Sequence, residues 1–332
     1  MSELRRDPVL GRWVIVRTME PWTPDHYEKE DNSVKYAQAS PFSEYRESMT
    51  PPEVEAIRAP GSSPNAPGWQ VRVVPNKFPA LKIEGDLDRH GMGIFDMSNG
   101  IGAHEVLIET PDPAKQMADF TPEEIKNVLW MYQRRSLDLA KDKRFQYIVV
   151  FKNFGRSAGA SVEHAHSQII ALPMIPKYVQ EKLVSAREYF QYRGRSIFSD
   201  ILLQEREEKN RIVTENDQYM AFCPFVSRYS FEISLFPKKE QTRFVHLKED
   251  ELQSLGQILL DVLRRLRTCL GNPSFNFYLH VHPIHYAHEE TFMWHMEIVP
   301  KLTRSTVFEW GTGFHVVFTP PEVAAKYLRE AV

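Results

Sequence analysis

Short runs of β-branched and aromatic residues, separated by polar turns, predict a chain built largely of strands. In the first half of the chain these runs lie at residues 13–16, 71–75, 102–111, 145–151 and 164–173. A stretch rich in Pro, Ser and Gly, from Pro21 to about Trp69, predicts mostly loop. The first half is therefore expected to be a β-rich unit with a long loop near its start.

Two segments have the apolar spacing of amphipathic helices. One begins after Thr121, a residue type that favours the N-cap, and has a proline in its first turn. The other runs from Glu249 to about Leu270, with acidic residues at its start and leucines on one face. Between the two halves, a charge-rich segment at roughly 176–210 predicts one long surface helix.

The order of elements in the first half recurs in the second. The corresponding strand-like runs are 229–237, 275–282 and 294–300, and the helix that begins at Glu249 lies among them. Repetition of a strand–helix–strand–loop–strand order predicts an α+β fold of two tandem units, residues 1–175 and 176–332. We expect antiparallel sheets that face one site, with helices on their outer faces.

Composition narrows the classes of protein that remain. The 42% hydrophobic and 26% charged residues are typical of a globular chain. A formal net charge of −3 supplies no bulk positive field for nucleic acid. Cys223 and Cys269 are too few for a disulfide framework, and neither an apolar leader nor a membrane-length apolar stretch is visible. We expect a soluble, cytoplasmic protein with no nucleic-acid or membrane partner.

One strand carries the residues with the strongest chemical signal. His164, His166 and Gln168 alternate with a period of two, so a strand would place them on the same face. In the second half, His295 and Glu297 stand at the positions of His166 and Gln168. A lone histidine would be an ordinary core or surface residue, but this grouping favours a site.

The loop before this strand, residues 153–161, adds features of an anion site. Its small and hydroxyl-bearing residues are Gly155, Ser157, Gly159 and Ser161. Glycine lets backbone N–H groups approach an anion closely, and serine hydroxyls add donors. The loop and the strand together predict a phosphate held beside an imidazole, with Gly159 and Ser161 as contacts.

Several segments, taken in order, resemble the galactose-1-phosphate uridylyltransferase family, the transferase branch of the histidine-triad superfamily. They are residues 6–15, 71–80, 102–106, 153–168 and 294–297. The resemblance extends over nearly the whole chain. It implies two tandem histidine-triad-like units, the second with a degenerate motif, and a homodimer.

The resemblance also implies a ping-pong nucleotidyl transfer. His166 is the implied nucleophile, which attacks the α-phosphorus of a nucleoside diphosphate sugar and releases sugar 1-phosphate, after which a phosphate or sugar phosphate accepts the nucleotide. Gln168 stands where histidine-triad hydrolases have a third histidine. Because an amide cannot act as a general acid or base, Gln168 favours transfer to phosphate over hydrolysis. The other matched positions are His164 beside the nucleophile, Asn153 and Ser161 at the phosphates, and Asn76 and Phe78 at the nucleotide.

The zinc site of the family is altered in this sequence. Family members often bind zinc through Cys-x-x-Cys and two histidines, but this chain has Ser40 and Ser43 where the thiols would be. Serine hydroxyls are poor zinc ligands, and His104 and His164 alone are too few for a closed site. We therefore predict no tightly bound zinc, with hydrogen bonds from the serine hydroxyls holding this loop against His164.

A second group of candidate ligands lies in the C-terminal half. Some family members hold iron or zinc there, and His282, His295 and Glu297, with Glu181 in the preceding segment, fall roughly at those positions. A His/carboxylate set is a plausible metal shell. The favoured interpretation is a group of inward histidines that hydrogen-bond to their neighbours.

The sequence leaves two substrate pairs possible, and both belong to the same class of reaction. One choice is UDP-glucose with galactose 1-phosphate, and the other is phosphorolysis of ADP-glucose. The loop at 158–161, the Ala165 between the histidines and the segment 308–314 resemble the ADP-glucose branch. Two other classes are a non-catalytic nucleotide-sugar binding protein, which retention of His166 and Gln168 disfavours, and a histidine-triad hydrolase, which Gln168 disfavours.

Overall fold

The computed structural model describes residues 2–35 and 40–331, so the part of the predicted loop at 36–39 lies outside the described residues. The helices in the described ranges are Pro122–Leu139 (α1), Lys177–Arg193 (α2), Ile197–Glu208 (α3), Glu249–Leu270 (α4), Val307–Thr312 (α5) and Pro321–Glu330 (α6). The strands of the first half are Ser2–Arg6 (β1), Trp13–Arg17 (β2), Glu55–Arg58 (β3), Trp69–Pro75 (β4), His90–Met92 (β5), Phe95–Met97 (β6), Ala103–Ile108 (β7), Tyr147–Phe154 (β8) and His166–Leu172 (β9). Those of the second half are Ile212–Glu215 (β10), Tyr219–Phe222 (β11), Ile233–Pro237 (β12), Phe275–His280 (β13), His295–Pro300 (β14) and His315–Val317 (β15).

Ten of these strands form one continuous antiparallel sheet. Their order is β10-β11-β12-β14-β13-β8-β9-β7-β4-β3, so five strands from each half join edge to edge where β13 pairs with β8. The order on one side of this junction mirrors the order on the other. The α+β fold with tandem units is confirmed, and the two antiparallel sheets that the sequence predicts are the two halves of this single sheet.

Strand register confirms the internal correspondence between the halves. Gln168 on β9 pairs with Phe151 on β8, and Glu297 on β14 pairs with Tyr278 on β13 in the same arrangement. His166 and His295 begin the two equivalent strands. The duplicated unit therefore places a histidine and a polar residue two positions later at the same point in each half.

The two long helices α1 and α4 cover one face of the sheet and pack against each other. The core beneath them includes Leu107 and Ile169 from the first half and Leu235 and Ile298 from the second. Because side chains alternate along a strand, the neighbouring residues point to the opposite face. That opposite face carries the candidate site in the first half, and in the second half α2 and α3 cover it.

The single long helix predicted for residues 176–210 is wrong. Two helices, α2 and α3, occupy the segment, because Gly194 ends α2 in the left-handed conformation with φ of +71°. Ser196 then caps α3 by accepting a hydrogen bond from the backbone N–H of Phe198. Both helices bury apolar residues against the sheet, Leu183 from α2 and Leu202 from α3.

The chain termini come together in a separate three-stranded sheet. Strand β2 pairs with β1 in antiparallel fashion and with β15 in parallel fashion. Arg5 extends this contact through an ion pair of 2.9 Å with Glu322 on α6. The first strands of the chain therefore pack with the C-terminal half. None of the helices in the described ranges has an apolar run long enough to cross a bilayer.

Candidate active site

His166 at the start of β9 has the tautomer of a nucleophile. Its Nδ1–H donates to the backbone carbonyl of His164 at 2.8 Å, which leaves the lone pair on Nε2. The ring lies at the wall of a cavity of about 850 Å³. Burial, and next the positive charge of Lys152, lower the pKa of His166 to about 4. The imidazole is therefore neutral and nucleophilic at pH 7.

A buried polar chain supports the peptide of His166 from behind. The Lys152 ammonium donates to the carbonyl of His166 at 2.9 Å and to Glu109 at 2.7 Å. The other carboxylate oxygen of Glu109 accepts from the Ser167 hydroxyl, which lies 2.6 Å from the hydroxyl of Tyr132 on α1. These groups fix the backbone of β9 at His166. Sequence reasoning missed them, since the alternation of β9 directs Ser167 away from the cavity.

His104 orients the amide of Gln168. The backbone N–H of Ala80 donates to His104 Nδ1 at 3.1 Å, so the proton of the neutral ring is on Nε2. That Nε2–H donates to Gln168 Oε1 at 2.7 Å. With its oxygen engaged, the amide of Gln168 has its N–H group left as a donor. The resemblance matches His104 and His164 to two of the family's zinc ligands; His104 lies on β7 and bonds to Gln168.

The segment predicted to contact the nucleotide lies next to His104. Asn76 Nδ2 is 3.1 Å from His104 Nε2, and Asn76 Oδ1 accepts from the backbone N–H of Phe78 at 2.9 Å. The Phe78 ring is 83% exposed, which leaves its face available to stack on a planar group. Asn76 and Gln168 therefore lie on either side of His104, both next to its Nε2. Neither Asn76 nor Phe78 lines the cavity at His166.

The loop between β8 and β9 supplies polar groups to the cavity. Asn153, Ser161 and His166 line it together. Asn276 on β13 donates to Asn153 Oδ1 at 2.8 Å, which leaves the N–H group of Asn153 as a donor. Gly159 has φ of +89° and lies beside that amide. Asn276 is a further candidate for this site, and the sequence offered no signal for it because it belongs to the other half.

The serine at position 40 does hydrogen-bond to His164, as predicted. The Ser40 hydroxyl donates to His164 Nδ1 at 3.0 Å, and His164 Nε2–H donates to the carbonyl of Thr110 at 2.7 Å. Burial lowers the pKa of His164 to about 4, so the ring is neutral. Ser43 Oγ is buried and has no hydrogen-bond partner among the described residues.

Zinc does not fit this donor set. Both ring nitrogens of His164 are engaged in hydrogen bonds, His104 lies elsewhere on β7, and the serines offer hydroxyl groups in place of thiolates. The neutral hydrogen bond between Ser40 and His164 therefore holds this loop against His164. His164 contributes to the site through its backbone carbonyl, which orients His166.

The second ligand group has His280 in place of the predicted His282 and does not include Glu181. His280, His295 and Glu297 place ligand atoms within 4.8 Å of one another, the one such group of three found in residues 2–35 and 40–331. His282 lies outside it, with Nδ1 at 2.9 Å from the carbonyl of Pro283. Glu181 is also outside, exposed on α2. The correction follows from strand pairing, since His280 lies directly opposite His295.

A duplicated antiparallel sheet that presents a neutral imidazole and the oriented amide of Asn153 to one cavity has the groups that an enzyme of the group-transfer class needs. Residues 1–176 match the family model described as galactose-1-phosphate uridyl transferase, N-terminal domain, and residues 182–326 match the model of its C-terminal domain. The chain therefore belongs to the galactose-1-phosphate uridylyltransferase family.

Individual relatives agree with this membership. ADP-glucose phosphorylase from Arabidopsis thaliana is 33% identical over 334 residues, which cover 99% of this chain and 92% of that protein. Galactose-1-phosphate uridylyltransferase from Thermotoga maritima is 24% identical over 340 residues, with 99% and 98% covered. A crystal structure of the Arabidopsis ADP-glucose phosphorylase with bound ADP-glucose matches with a TM-score of 0.83 at 32% identity, covering 100% of this chain and 99% of that one. The predictions of the family and of a nucleotidyltransferase-type enzyme are thereby confirmed.

Proposed function

We propose that this protein transfers a nucleoside monophosphate from a nucleoside diphosphate hexose to a phosphate-bearing acceptor, through a nucleotidyl-His166 intermediate. The observation that carries the proposal is the state of His166. Its Nδ1–H is held by the His164 carbonyl, its pKa is lowered to about 4, and it borders a cavity with polar side chains. A neutral imidazole with a free Nε2 lone pair is ready to attack phosphorus without a base.

The first half-reaction balances without any proton transfer. The Nε2 lone pair of His166 forms a bond to the α-phosphorus, and the bond from that phosphorus to the bridging oxygen breaks. The electron pair leaves with the sugar 1-phosphate. The Nδ1–H stays on the ring and its hydrogen bond to the His164 carbonyl stabilises the positive charge that develops on the imidazole.

The second half-reaction reverses these steps with a phosphate oxygen as the attacking atom. The N–P bond breaks and its electron pair returns to Nε2. We assign the N–H groups of Gln168 and Asn153 as donors to non-bridging phosphoryl oxygens, because His104 and Asn276 engage the amide oxygens. Asn153 lines the cavity at His166, and Gln168 follows His166 by two residues on the same face of β9. Gln168 cannot remove a proton from water, and a phosphate acceptor requires no such base, so the site favours phosphate over water.

A second candidate concerns the nucleotide. Transfer of adenylate from ADP-glucose is favoured by the 33% identity to an ADP-glucose phosphorylase, against 24% to the Thermotoga uridylyltransferase. Both reactions use the same nucleophile and the same phosphate contacts. The two proposals therefore differ only in the base, and in whether phosphate or a sugar phosphate is the acceptor.

We also propose that the protein is a homodimer. Large apolar side chains are exposed on the β5–β6 hairpin, where Ile94 is 91% exposed and Phe95 is nearby, and on α5, where Trp310 is exposed. Apolar side chains grouped in this way are characteristic of surfaces that a partner covers. A mass of twice the chain mass by light scattering supports the dimer, and a monomer at micromolar concentration contradicts it.

Intact mass spectrometry tests the covalent intermediate. The protein is incubated separately with UDP-glucose and ADP-glucose and quenched at alkaline pH, with the H166N variant alongside. An adduct of UMP mass that the variant lacks supports uridylyl transfer, and one of AMP mass supports the ADP-glucose candidate. Binding of UDP-glucose and ADP-glucose without any covalent adduct would contradict the mechanism and favour a non-catalytic binding protein.

A further inference from the structure

A lysine ammonium lies at the centre of the second ligand group. Lys182 reaches down from α2, and its Nζ is 3.1 Å from Glu297 Oε1, 3.4 Å from His295 Nε2 and 3.5 Å from His280 Nδ1. All of these side chains are buried or nearly so. The three acceptor atoms match the three N–H donors of an ammonium group.

We infer that the Lys182 ammonium is the resident cation of this group and that it takes the position a metal ion would need. The three ligand atoms lie within 4.8 Å of one another, a spacing that suits one central ion. Lys182 Nζ lies among the three side chains, at 3.1 Å from Glu297 Oε1, 3.4 Å from His295 Nε2 and 3.5 Å from His280 Nδ1. A metal could enter only if the lysine side chain left the buried site.

The two histidines are oriented so that each can accept a hydrogen bond from the Lys182 ammonium. His295 Nδ1–H donates to the carbonyl of Met293 at 3.0 Å, so its Nε2 lone pair faces Lys182. His280 Nδ1 faces Lys182 in the same way, and its Nε2 is 3.1 Å from Glu297 Oε2. Each neutral ring thus accepts from the ammonium on one nitrogen and has the other nitrogen beside an acceptor.

The local charges already balance without a metal. Arg228 lies 2.6 Å from Glu297 and 2.9 Å from Glu232, so two cations, Arg228 and Lys182, face two carboxylates. A divalent ion in place of the Lys182 ammonium would leave this buried set with one uncompensated positive charge, which a protein interior disfavours. The donor set is therefore complete as a hydrogen-bonded salt bridge.

The contacts of Lys182 also explain why His295, unlike His166, has no lone pair available for attack on phosphorus. His295 is the counterpart of His166 and has the same tautomer, with Nδ1–H held by the carbonyl two residues earlier. Lys182, however, engages its Nε2, and the ring stacks between Phe236 and His280 at centroid distances of 4.5 and 4.4 Å. The second imidazole therefore cannot attack a phosphorus atom.

The inference is tested by asking whether removal of the ammonium creates a metal site. Full-length wild type, K182A and K182A/H295A are incubated with excess CoCl₂ and desalted, and cobalt is measured by inductively coupled plasma mass spectrometry and visible absorption. We expect K182A to retain about one equivalent of cobalt more than the wild type. The double variant should return to the wild-type content, because it lacks one ligand.

A folded K182A that gains no cobalt would overturn the inference, since the three ligands would then be unable to hold an ion even without the lysine. X-ray absorption of the zinc-incubated wild type needs no variant and covers the case in which K182A does not fold. An ion bound by two imidazoles and a carboxylate in the wild type overturns the inference, and the absence of such an ion supports it.

Discussion

At the scale of single residues, the site depends on side chains that orient other side chains. Gln168 and Asn153 are both amides, and the two ends of an amide group are chemically opposite although they have the same shape. His104 and Asn276 each donate to the oxygen end, which determines that the N–H end is the one left for substrate. Positioning of this kind contributes to catalysis because a donor that is already aligned needs no reorganisation.

The orienting role of His104 gives a prediction for kinetics. In H104A the amide of Gln168 is free to rotate, so we expect kcat to fall by about ten- to a hundredfold with a smaller change in KM. If His104 acts through Gln168, H104A should have little further effect in a Q168A background. Steady-state kinetics on the single and double variants measure this, and additive losses would contradict it.

The two serines that replace the zinc thiols should differ in their effect on stability. Ser40 satisfies the buried Nδ1 of His164, so S40A should lower the free energy of unfolding by about 1–3 kcal/mol. Ser43 Oγ has no hydrogen-bond partner within the described ranges, so S43A should be neutral or slightly stabilising. Urea unfolding of the two variants makes the comparison, and equal losses would disagree with the proposed role of Ser40.

At the scale of elements, the sequence predicted those helix ends that residues close together in the chain determine. Thr121 caps α1 by accepting from the Glu124 N–H, as its position before an acidic first turn predicts. The break at Gly194 was missed, because the charge pattern on either side continues across it and only the backbone conformation reveals the end of α2. Local pattern therefore located most elements but joined two neighbouring helices into one.

Contacts between residues far apart in the chain could not be predicted from the sequence. Asn276 is far along the chain from Asn153, and Lys182 comes from a helix that seemed to be solvated. Both contacts arise from the edge-to-edge pairing of β8 with β13 and from the packing of α2 on the sheet. The candidate nucleophile was recognisable from its spacing with Gln168, whereas the residues that orient and complete the site depend on long-range topology.

The loop between β8 and β9 depends on one glycine in particular. A Cβ on Gly155 would lie 1.9 Å from Ser274 Oγ and 2.6 Å from Asn32 Oδ1, and φ there is +80°. Gly61 has nearly the same φ, +83°, but no atom within 4 Å of such a Cβ, so it is a control that shares the positive φ and lacks the close contacts.

We expect G61A to cost about 1–2 kcal/mol and G155A about 1–3 kcal/mol more. Displacement of this loop should also reduce formation of the nucleotidyl adduct in G155A, while G61A retains it. Thermal unfolding and intact mass spectrometry measure the two effects. Equal stability of the two variants would show that Ser274 and Asn32 move aside without cost.

At the scale of the whole molecule, duplication has produced two equivalent positions with different chemistry. Both His166 and His295 begin a strand next to the central pair β8–β13, on the face opposite α1 and α4. The first borders the cavity, and the second is covered by α2 with Lys182 against its Nε2. One half of the sheet thus provides the proposed nucleophile, while the other provides Asn276 and the buried salt bridge between Lys182 and Glu297.

The buried histidines predict how stability depends on pH. Burial lowers the pKa values of His164, His166 and His280 to about 4 in the folded chain, against about 6.5 in the unfolded chain. The unfolded state therefore binds more protons between these two values. Stability from these groups is complete above pH 6.5 and falls as pH decreases toward 4, by up to about 1.4 kcal/mol per pH unit for each histidine.

Between pH 6.5 and 5.5 most carboxylates stay ionised, so the histidines should dominate a decrease in Tm over that interval. The H166N variant removes one of the buried rings, and its Tm should therefore depend less steeply on pH than that of the wild type. His90 is exposed on the β5–β6 hairpin, so H90N is the matched control and should keep the wild-type slope. Circular dichroism melts at closely spaced pH values measure the three slopes. Because a neutral His166 is also what the proposed nucleophile requires, an unchanged slope in H166N would argue against both the buried neutral ring and its role in attack.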